Sequence, residues 1–428
     1  MKRECFDPDE EKAAVPARSA GSKGRGRFLA LALLIVVAIA ALYGCGGGDD
    51  HSNQAAPPPE PSVRQSAVTV ADFNRDGFLD LAVSTSFFTD QESFPGEVDV
   101  FLQTATPGVY AAAQTYPVGL DPAHVASADL NGDGLPDLVT ANETSDSVSV
   151  LLNQPGRPGA FLQAAGYPCG PQPLAVAVAD VNRDTLPDLV VAVADGVDVL
   201  LQNPNARGQF LSPTTLALAG GAFSVATGDL DGDGLTDIAC SGTTSVVVFF
   251  QSPTTPGAFR APASFVAGVE PNGIAVADMD LDGLDDIVVA NIGSPADGSN
   301  STVSVLLQDP DVVGNFLAAR NIAAPGGTRN VALGDLNGDT FPDIAAASTV
   351  ILSTNAGTVS VFLQNGAAPG NFFFSASYPD GFTPEYVALG DFNRDLRLDI
   401  AIQDGPSILF QDPSRPGVFL PEVLVGPQ

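Results

Sequence analysis

From Ala67 onward the chain is built of short apolar runs, four to seven residues long, each closed by Gly, Pro, Asn or Asp. AVAVAD ending at Asp180, DLVVAVA from Asp188 and SVSVLL from Ser147 are representative. Runs of that length, rich in β-branched and small apolar residues and broken by turn formers, predict strands. The runs recur in one order: an alternating stretch, an Asp-rich segment, an apolar run, a second apolar run, and a Gly-x-Phe turn. The Asp-rich segments begin at Asp72, Asp129, Asp180, Asp229, Asp278, Asp335 and Asp391. The turns end at Tyr110, Phe161, Phe210, Phe259, Phe316, Phe372 and Phe419.

A repeat of about 50 residues marks an array or a propeller. Each copy predicts a four-stranded antiparallel meander that is apolar on both faces and must therefore stack on its neighbours. Radial repetition achieves this while leaving only short edges. Seven copies fill Ala67 to Gln428, so the expected fold is all-β, a seven-bladed β-propeller over residues 63–428. The last copy contains its own fourth strand near Phe419–Val425. Closure is therefore expected mainly by packing of blade one on blade seven, with a strand borrowed from Ser62–Ser66 as the alternative.

The Asp-rich segments carry the candidate chemistry. Oxygen side chains at positions one, three and five of a tight turn converge on one point. A left-handed residue at position six then brings in the position-seven carbonyl, and an acid at position nine closes the shell. That is an oxygen-only site for a hard cation such as Ca2+, which takes six to eight oxygens. The first two loops are Asp72, Asn74, Asp76, Phe78 and Asp80, then Asp129, Asn131, Asp133, Leu135 and Asp137. The third is Asp180, Asn182, Asp184, Leu186 and Asp188. Two loops have four carboxylates: Asp229, Asp231, Asp233, Leu235 and Asp237, and Asp278, Asp280, Asp282, Leu284 and Asp286. The last two are Asp335, Asn337, Asp339, Phe341 and Asp343, and Asp391, Asn393, Asp395, Arg397 and Asp399.

Position six is Gly77, Gly134, Gly234 and Gly283 in four loops, which are expected to bind best. It is Thr185, Thr340 and Leu396 in the other three. Positive φ costs a bulky or β-branched residue about 1–2 kcal/mol, so those three are expected to be weaker or differently shaped. Acidic residues also make simple Asx turns at hairpins. Seven copies retaining the same four positions go beyond turn preference.

This spacing, followed by an apolar strand, resembles the FG-GAP or VCBS repeats of integrin α-subunit propellers and bacterial surface proteins. The resemblance covers Ala67–Gln428. It implies calcium in the turn between strands one and two of a blade, held by positions one, three, five and nine, and a role in surface binding or adhesion toward protein or glycan.

Charge and the N-terminus narrow the classes. The chain has a formal charge of −32. Up to Gly44 lie 7 of the 18 Lys and Arg residues and 5 of the 50 acids, and no lysine follows Lys23. A domain that acidic lacks the basic patches that nucleic acid or anionic membranes require, and bound cations would relieve its self-repulsion. Lys23, Arg25 and Arg27 precede an apolar run from Phe28 to Tyr43 and then Gly44-Cys45, the order of an export signal. Residues 1–45 are read as a lipoprotein leader with Cys45 lipidated, or as an uncleaved signal anchor. Residues 46–62, rich in Gly and Pro, are read as a tether. Both readings place the repeats outside the cytoplasm, in the cell envelope or at its surface, touching membrane only through that anchor. Cys169 and Cys240 lie in different repeats and are expected as free thiols.

By meander topology the Asp-rich loops and Gly-x-Phe turns share one end of the propeller, and the variable connections share the other. Long connections are expected at Ser84–Glu97, Asn291–Thr302 and Ser348–Thr358. Phe87, Phe88, Phe94, His124, Asn330 and Tyr386 are the ligand-contact candidates on that face. A calcium-dependent polysaccharide lyase or esterase and a purely structural envelope component are the rival classes. Against an enzyme stand two histidines after the leader, His51 and His124, and the absence of Gly-x-Ser-x-Gly and His-Glu-x-x-His motifs.

Overall fold

The computed structural model describes residues 62–89, 93–294, 299–349, 357–380 and 383–426. The predicted runs form seven four-stranded antiparallel sheets, each a simple meander in chain order. Blade one comprises Ser62–Ala71, Asp80–Phe88, Ser93–Phe101 and Gln114–Leu120. Blade two comprises Pro122–Ala128, Asp137–Asn142, Ser147–Leu151 and Ala165–Pro168, with a small extra hairpin, Asn153–Gln154 and Arg157–Phe161, at its Gly-x-Phe turn. Blade seven, the last, comprises Val387–Gly390, Asp399–Ile402, Ser407–Leu409 and Val423–Leu424. The protein is a seven-bladed β-propeller.

The second strand of blades two to seven is buried along its length, as in Asp137–Asn142 and Asp286–Asn291, and that of blade one is buried up to its hairpin end, because both faces meet neighbouring sheets. Burial on both sides explains why these strands read as continuous apolar runs rather than strict alternation. The core accordingly lies between blades. Val139, Ala141, Val148 and Val150 of blade two pack against Val176, Leu189, Val191 and Val193 of blade three. The same arrangement recurs at each interface, including the one that closes the ring, where Val68, Leu81, Val83 and Phe101 of blade one meet Phe392, Ala401 and Ile408 of blade seven.

Closure is by packing, as the first expectation had it. Ser62–Ser66 is not lent to blade seven; it extends the first strand of blade one, pairing with Thr85–Phe88. Polar contacts span the seam. Arg64 pairs with Glu385, the Gly405 N–H donates to Gln65 Oε1 at 2.6 Å, and the Arg394 guanidinium lies 3.6 Å from the Phe78 ring centre while donating to the Gly77 carbonyl.

One predicted connection is different. Ser84–Glu97 is not a loop: Phe87 pairs with Phe94 and Phe88 with Ser93, so the second and third strands of blade one run on as a long hairpin. The apolar residues there satisfy a strand pattern that the repeat alignment hides. Strands end at Asn291 and Ser348 and resume at Thr302 and Thr358, as expected. Residues 1–61, including the leader, Cys45 and nearly all of the tether, lie outside the described residues. Among those described, no helix is long and apolar enough to cross a membrane. Cys169 and Cys240 are free thiols.

Candidate metal-binding loops

Each Asp-rich segment joins the first and second strands of its blade. All seven share one backbone. Position four has positive φ throughout: 59° at Arg75, 77° at Gly132, 65° at Arg183, 72° at Gly232, 61° at Leu281, 79° at Gly338 and 61° at Arg394. Position six does too, from 67° at Leu396 to 91° at Gly283, with 68° at Thr185 and 77° at Thr340. The three loops lacking glycine at position six are therefore not differently shaped. They adopt the same turn and carry its strain in φ.

That backbone is held by the side chains proposed as ligands. The position-one Asp accepts the position-six N–H, at 2.7 Å from Gly77 and Gly134 and 2.8 Å from Thr185, Gly234, Thr340 and Leu396. The position-five Asp accepts the position-seven N–H, as in Asp76 to Phe78 at 2.8 Å and Asp395 to Arg397 at 3.0 Å. Where position three is Asn, its amide can also donate: Asn74 Nδ2 lies 3.0 Å from Asp76 Oδ2, and Asn182 Nδ2 lies 3.2 Å from Asp184 Oδ2.

The position-nine Asp has a second role. It is buried in every loop. One oxygen accepts the position-two N–H and the other accepts an N–H just beyond the third strand, as in Asp137, bonded to Leu130 at 2.9 Å and Asn153 at 2.7 Å. Burial pushes the carboxyls of Asp80, Asp137, Asp237, Asp286, Asp343 and Asp399 up to about 7 and that of Asp188 to about 6; the two N–H donors pull the other way, and neighbouring loop carboxylates add to the rise.

Sequence reasoning passed over the residue that supplies that second N–H. Gln103, Asn153, Gln202, Gln251, Gln308, Gln364 and Gln411 occupy one place in every repeat, directly after two Leu or Phe residues, and all are buried. The side-chain amide of Gln202 donates to the Pro187 carbonyl of its own loop at 2.8 Å and to the Leu130 carbonyl of the preceding loop at 2.9 Å. Its Oε1 accepts the turn's Gly208 N–H at 3.3 Å. Asn153, Gln364 and Gln411 link to the loop of the preceding blade in the same way. At the seam, Tyr110 stands where other repeats have Phe, and its hydroxyl takes the Gln103 amide at 2.9 Å. The signal was legible as an amide at a fixed offset after an apolar run.

A repeated acidic turn and a repeated amide strut on a seven-bladed ring narrow the family. An FG-GAP-like repeat model matches residues 129–191, 180–240, 229–289 and 278–346, and an FG-GAP repeat model matches 65–101. The chain belongs to the FG-GAP repeat family. No curated protein matches it. Its fold is similar to that of a putative 6-phosphogluconolactonase from Bacteroides uniformis, at 12% identity over 81% of this chain and 97% of that one, with a TM-score of 0.52. The V. cholerae biofilm matrix protein Bap1 is 14% identical over 86% of this chain and 81% of its own, with a TM-score of 0.41. The rhamnogalacturonan lyase YesW is 12% identical over 83% and 72%, with a TM-score of 0.46. At 12% identity the likeness to the first of these is one of fold alone.

In this FG-GAP ring the oxygens suit a hard cation. Carboxylate oxygens of Asp229, Asp231 and Asp233, and of Asp278, Asp280 and Asp286, lie within 4.8 Å of one another. Asp229 Oδ1 and Asp280 Oδ1 are buried without a hydrogen-bond partner, a costly state for a carboxylate unless a cation meets it. Burial, then the charges of Asp282 and Asp278, raise the Asp280 carboxyl, against the opposite pull of the Asp282 N–H and the Arg320 charge. The donor set is oxygen only, which fits calcium better than a nitrogen- or sulfur-seeking metal.

On the opposite face the candidate contacts are partly spoken for. His124 Nδ1 accepts the Val176 N–H at 3.4 Å and Asn330 Oδ1 accepts the Val387 N–H at 3.2 Å, each a link to the first strand of the next blade. Tyr386 stacks obliquely on His124 with ring centres 5.3 Å apart. Phe88 is exposed at the end of the blade-one hairpin.

Proposed function

We propose that this FG-GAP propeller is a calcium-binding extracytoplasmic module that binds a protein or glycan through the face opposite its metal loops. The observation that supports calcium most is the pair of buried, unpartnered carboxylate oxygens at Asp229 and Asp280 within converging acidic loops. Bound calcium supplies positive charge to an array in which 23 of the 28 side chains at positions one, three, five and nine are carboxylates. The chain's own part is to hold those oxygens in register through the shared turn and the amide strut. A binding role fits better than catalysis because burial lowers His124 to about 4, so this imidazole is a poor base at neutral pH.

The test is thermal melting of the full chain with excess calcium and with chelator, joined to a glycan array. The midpoint is expected to rise with calcium, since a ligand that binds only the folded state stabilises it. An unchanged midpoint after confirmed metal removal defeats the calcium reading. Release of unsaturated product from uronate polymers defeats the non-enzymatic one.

A further inference from the structure

The loops beginning at Asp229 and Asp278 have the same ligand set, four carboxylates and a glycine at position six, and sequence ranks them together. They differ at positions two, four and eight, where one has Leu230, Gly232 and Thr236 and the other Met279, Leu281 and Asp285, and in how a neighbouring arginine meets the position-three Asp. Arg260 follows the Gly-x-Phe turn of blade four, where other blades have Ala111, Leu162, Leu211, Leu317, Phe373 or Leu420. Its Nε donates to the Gln251 carbonyl at 3.2 Å, and its guanidinium carbon lies 5.3 Å from the centre of the Phe250 ring. Its Nη2 pairs with Asp231 and lies 3.6 Å from Asp233 Oδ2. Asp231 is only 5% exposed, so this is a largely desolvated contact on the carboxylate side.

The guanidinium does for this loop what an asparagine amide does in the loops of Asn74 and Asn182: it bridges positions three and five. Asp231 has no proton to give, and the two carboxylates would repel across the gap. In the Asp278 loop nothing bridges. The nearby Arg320 donates to the Gly370 carbonyl at 2.5 Å and reaches Asp280 through its charge alone, and Asp280 Oδ1 is left without a partner. Arg397 touches one ligand position of its own loop, Asp395, at 3.2 Å. Arg260 spans two.

We propose that Arg260 is a built-in cation that competes with calcium for the Asp229 loop, so that this loop fills only at calcium levels above those that fill the Asp278 loop. The inference rests on the calcium reading above. A divalent ion seated among Asp229, Asp231 and Asp233 cannot share Asp231 with a guanidinium without strong like-charge repulsion, so binding swings Arg260 away from the loop and over Phe250. Four carboxylates against one guanidinium favour the metal once its concentration suffices. The arginine sets where that point lies.

The experiment is a calcium titration of the full chain, followed by calorimetry and by displacement of terbium luminescence. Arg260→Leu installs the residue found at this place in four other blades, and Arg260→Gln keeps a polar side chain without the charge. Both are expected to tighten one site by about ten-fold while leaving the number of sites unchanged, since calcium affinity follows the net ligand charge. Adding Asp231→Asn to Arg260→Leu is expected to abolish the tightened site. Identical isotherms for wild type and both variants overturn the competition while leaving the calcium reading intact. Fewer sites in Arg260→Leu overturn it too, by showing that Arg260 positions the carboxylates. No calcium bound by any of the proteins overturns the calcium reading itself.

Discussion

Leu396 sits at φ 67° with 94% of its surface exposed, a branched side chain in a left-handed turn with no packing to offset the strain. Replacing it with glycine removes a cost of about 1–2 kcal/mol in the folded state and adds somewhat less than 1 kcal/mol of unfolded-state entropy. Leu396→Gly is therefore expected to raise the melting midpoint by about 1–2 °C, read by calorimetry in chelator so that metal affinity does not enter. A lower midpoint would mean that the turn carries no such strain. Arg75, Arg183 and Arg394 meet the same demand at position four, where the residue type carries no warning because arginine is not a turn former. Arg394 shows the compensation: its side chain leaves the loop to cover Phe78 across the seam.

At the scale of the element, the loop cannot be separated from the strands around it. The position-nine Asp begins the second strand, takes a backbone N–H from the loop and another from the end of the third strand, and so ties the turn to the sheet. The strut then ties one blade's loop to the next. Gln202→Ala leaves the Leu130 and Pro187 carbonyls without their donor in a buried place. The expected loss is about 1–3 kcal/mol, measured by denaturant unfolding. Gln103, whose amide donates to the Tyr110 hydroxyl and to the Leu79 carbonyl of its own loop, is expected to cost less when changed to alanine, because that carbonyl also accepts the Tyr110 hydroxyl.

Over the whole molecule, seven buried carboxyls with raised values link the fold to pH. Their folded-state values, about 6 to about 7, lie above the roughly 3.9 of an unfolded aspartate. A group raised in this way contributes stability that is full below the unfolded value and is lost as pH rises through the folded one. In chelator, the melting midpoint is therefore expected to fall between about pH 4 and about pH 7. With saturating calcium the fall should shrink, because the cation favours the ionised form that high pH produces. A metal-free midpoint that rises over this range would show that these carboxyls are already ionised at low cost. The formal charge of −32 acts in the same direction, since every deprotonation adds to self-repulsion.

The sequence by itself determined the repeat, the strand order within each blade and the number of blades, because strand periodicity and turn residues are local and were written seven times. It also determined where the acidic turns fall, since Asp72, Asn74, Asp76 and their counterparts recur at one place before the second strand of each blade. Tertiary structure decided what the repeats share across space. It showed that Ser62–Ser66 belongs to blade one, that Phe87 and Phe94 pair in a long hairpin, and that Thr185, Thr340 and Leu396 accept the glycine conformation. It alone separated two loops with the same four carboxylates and the same position-six glycine, because Arg260 lies 27 residues beyond Asp233 and meets it only through the fold of blade four. Long-range contacts of that kind have no period, and a pattern read along the chain passes over them.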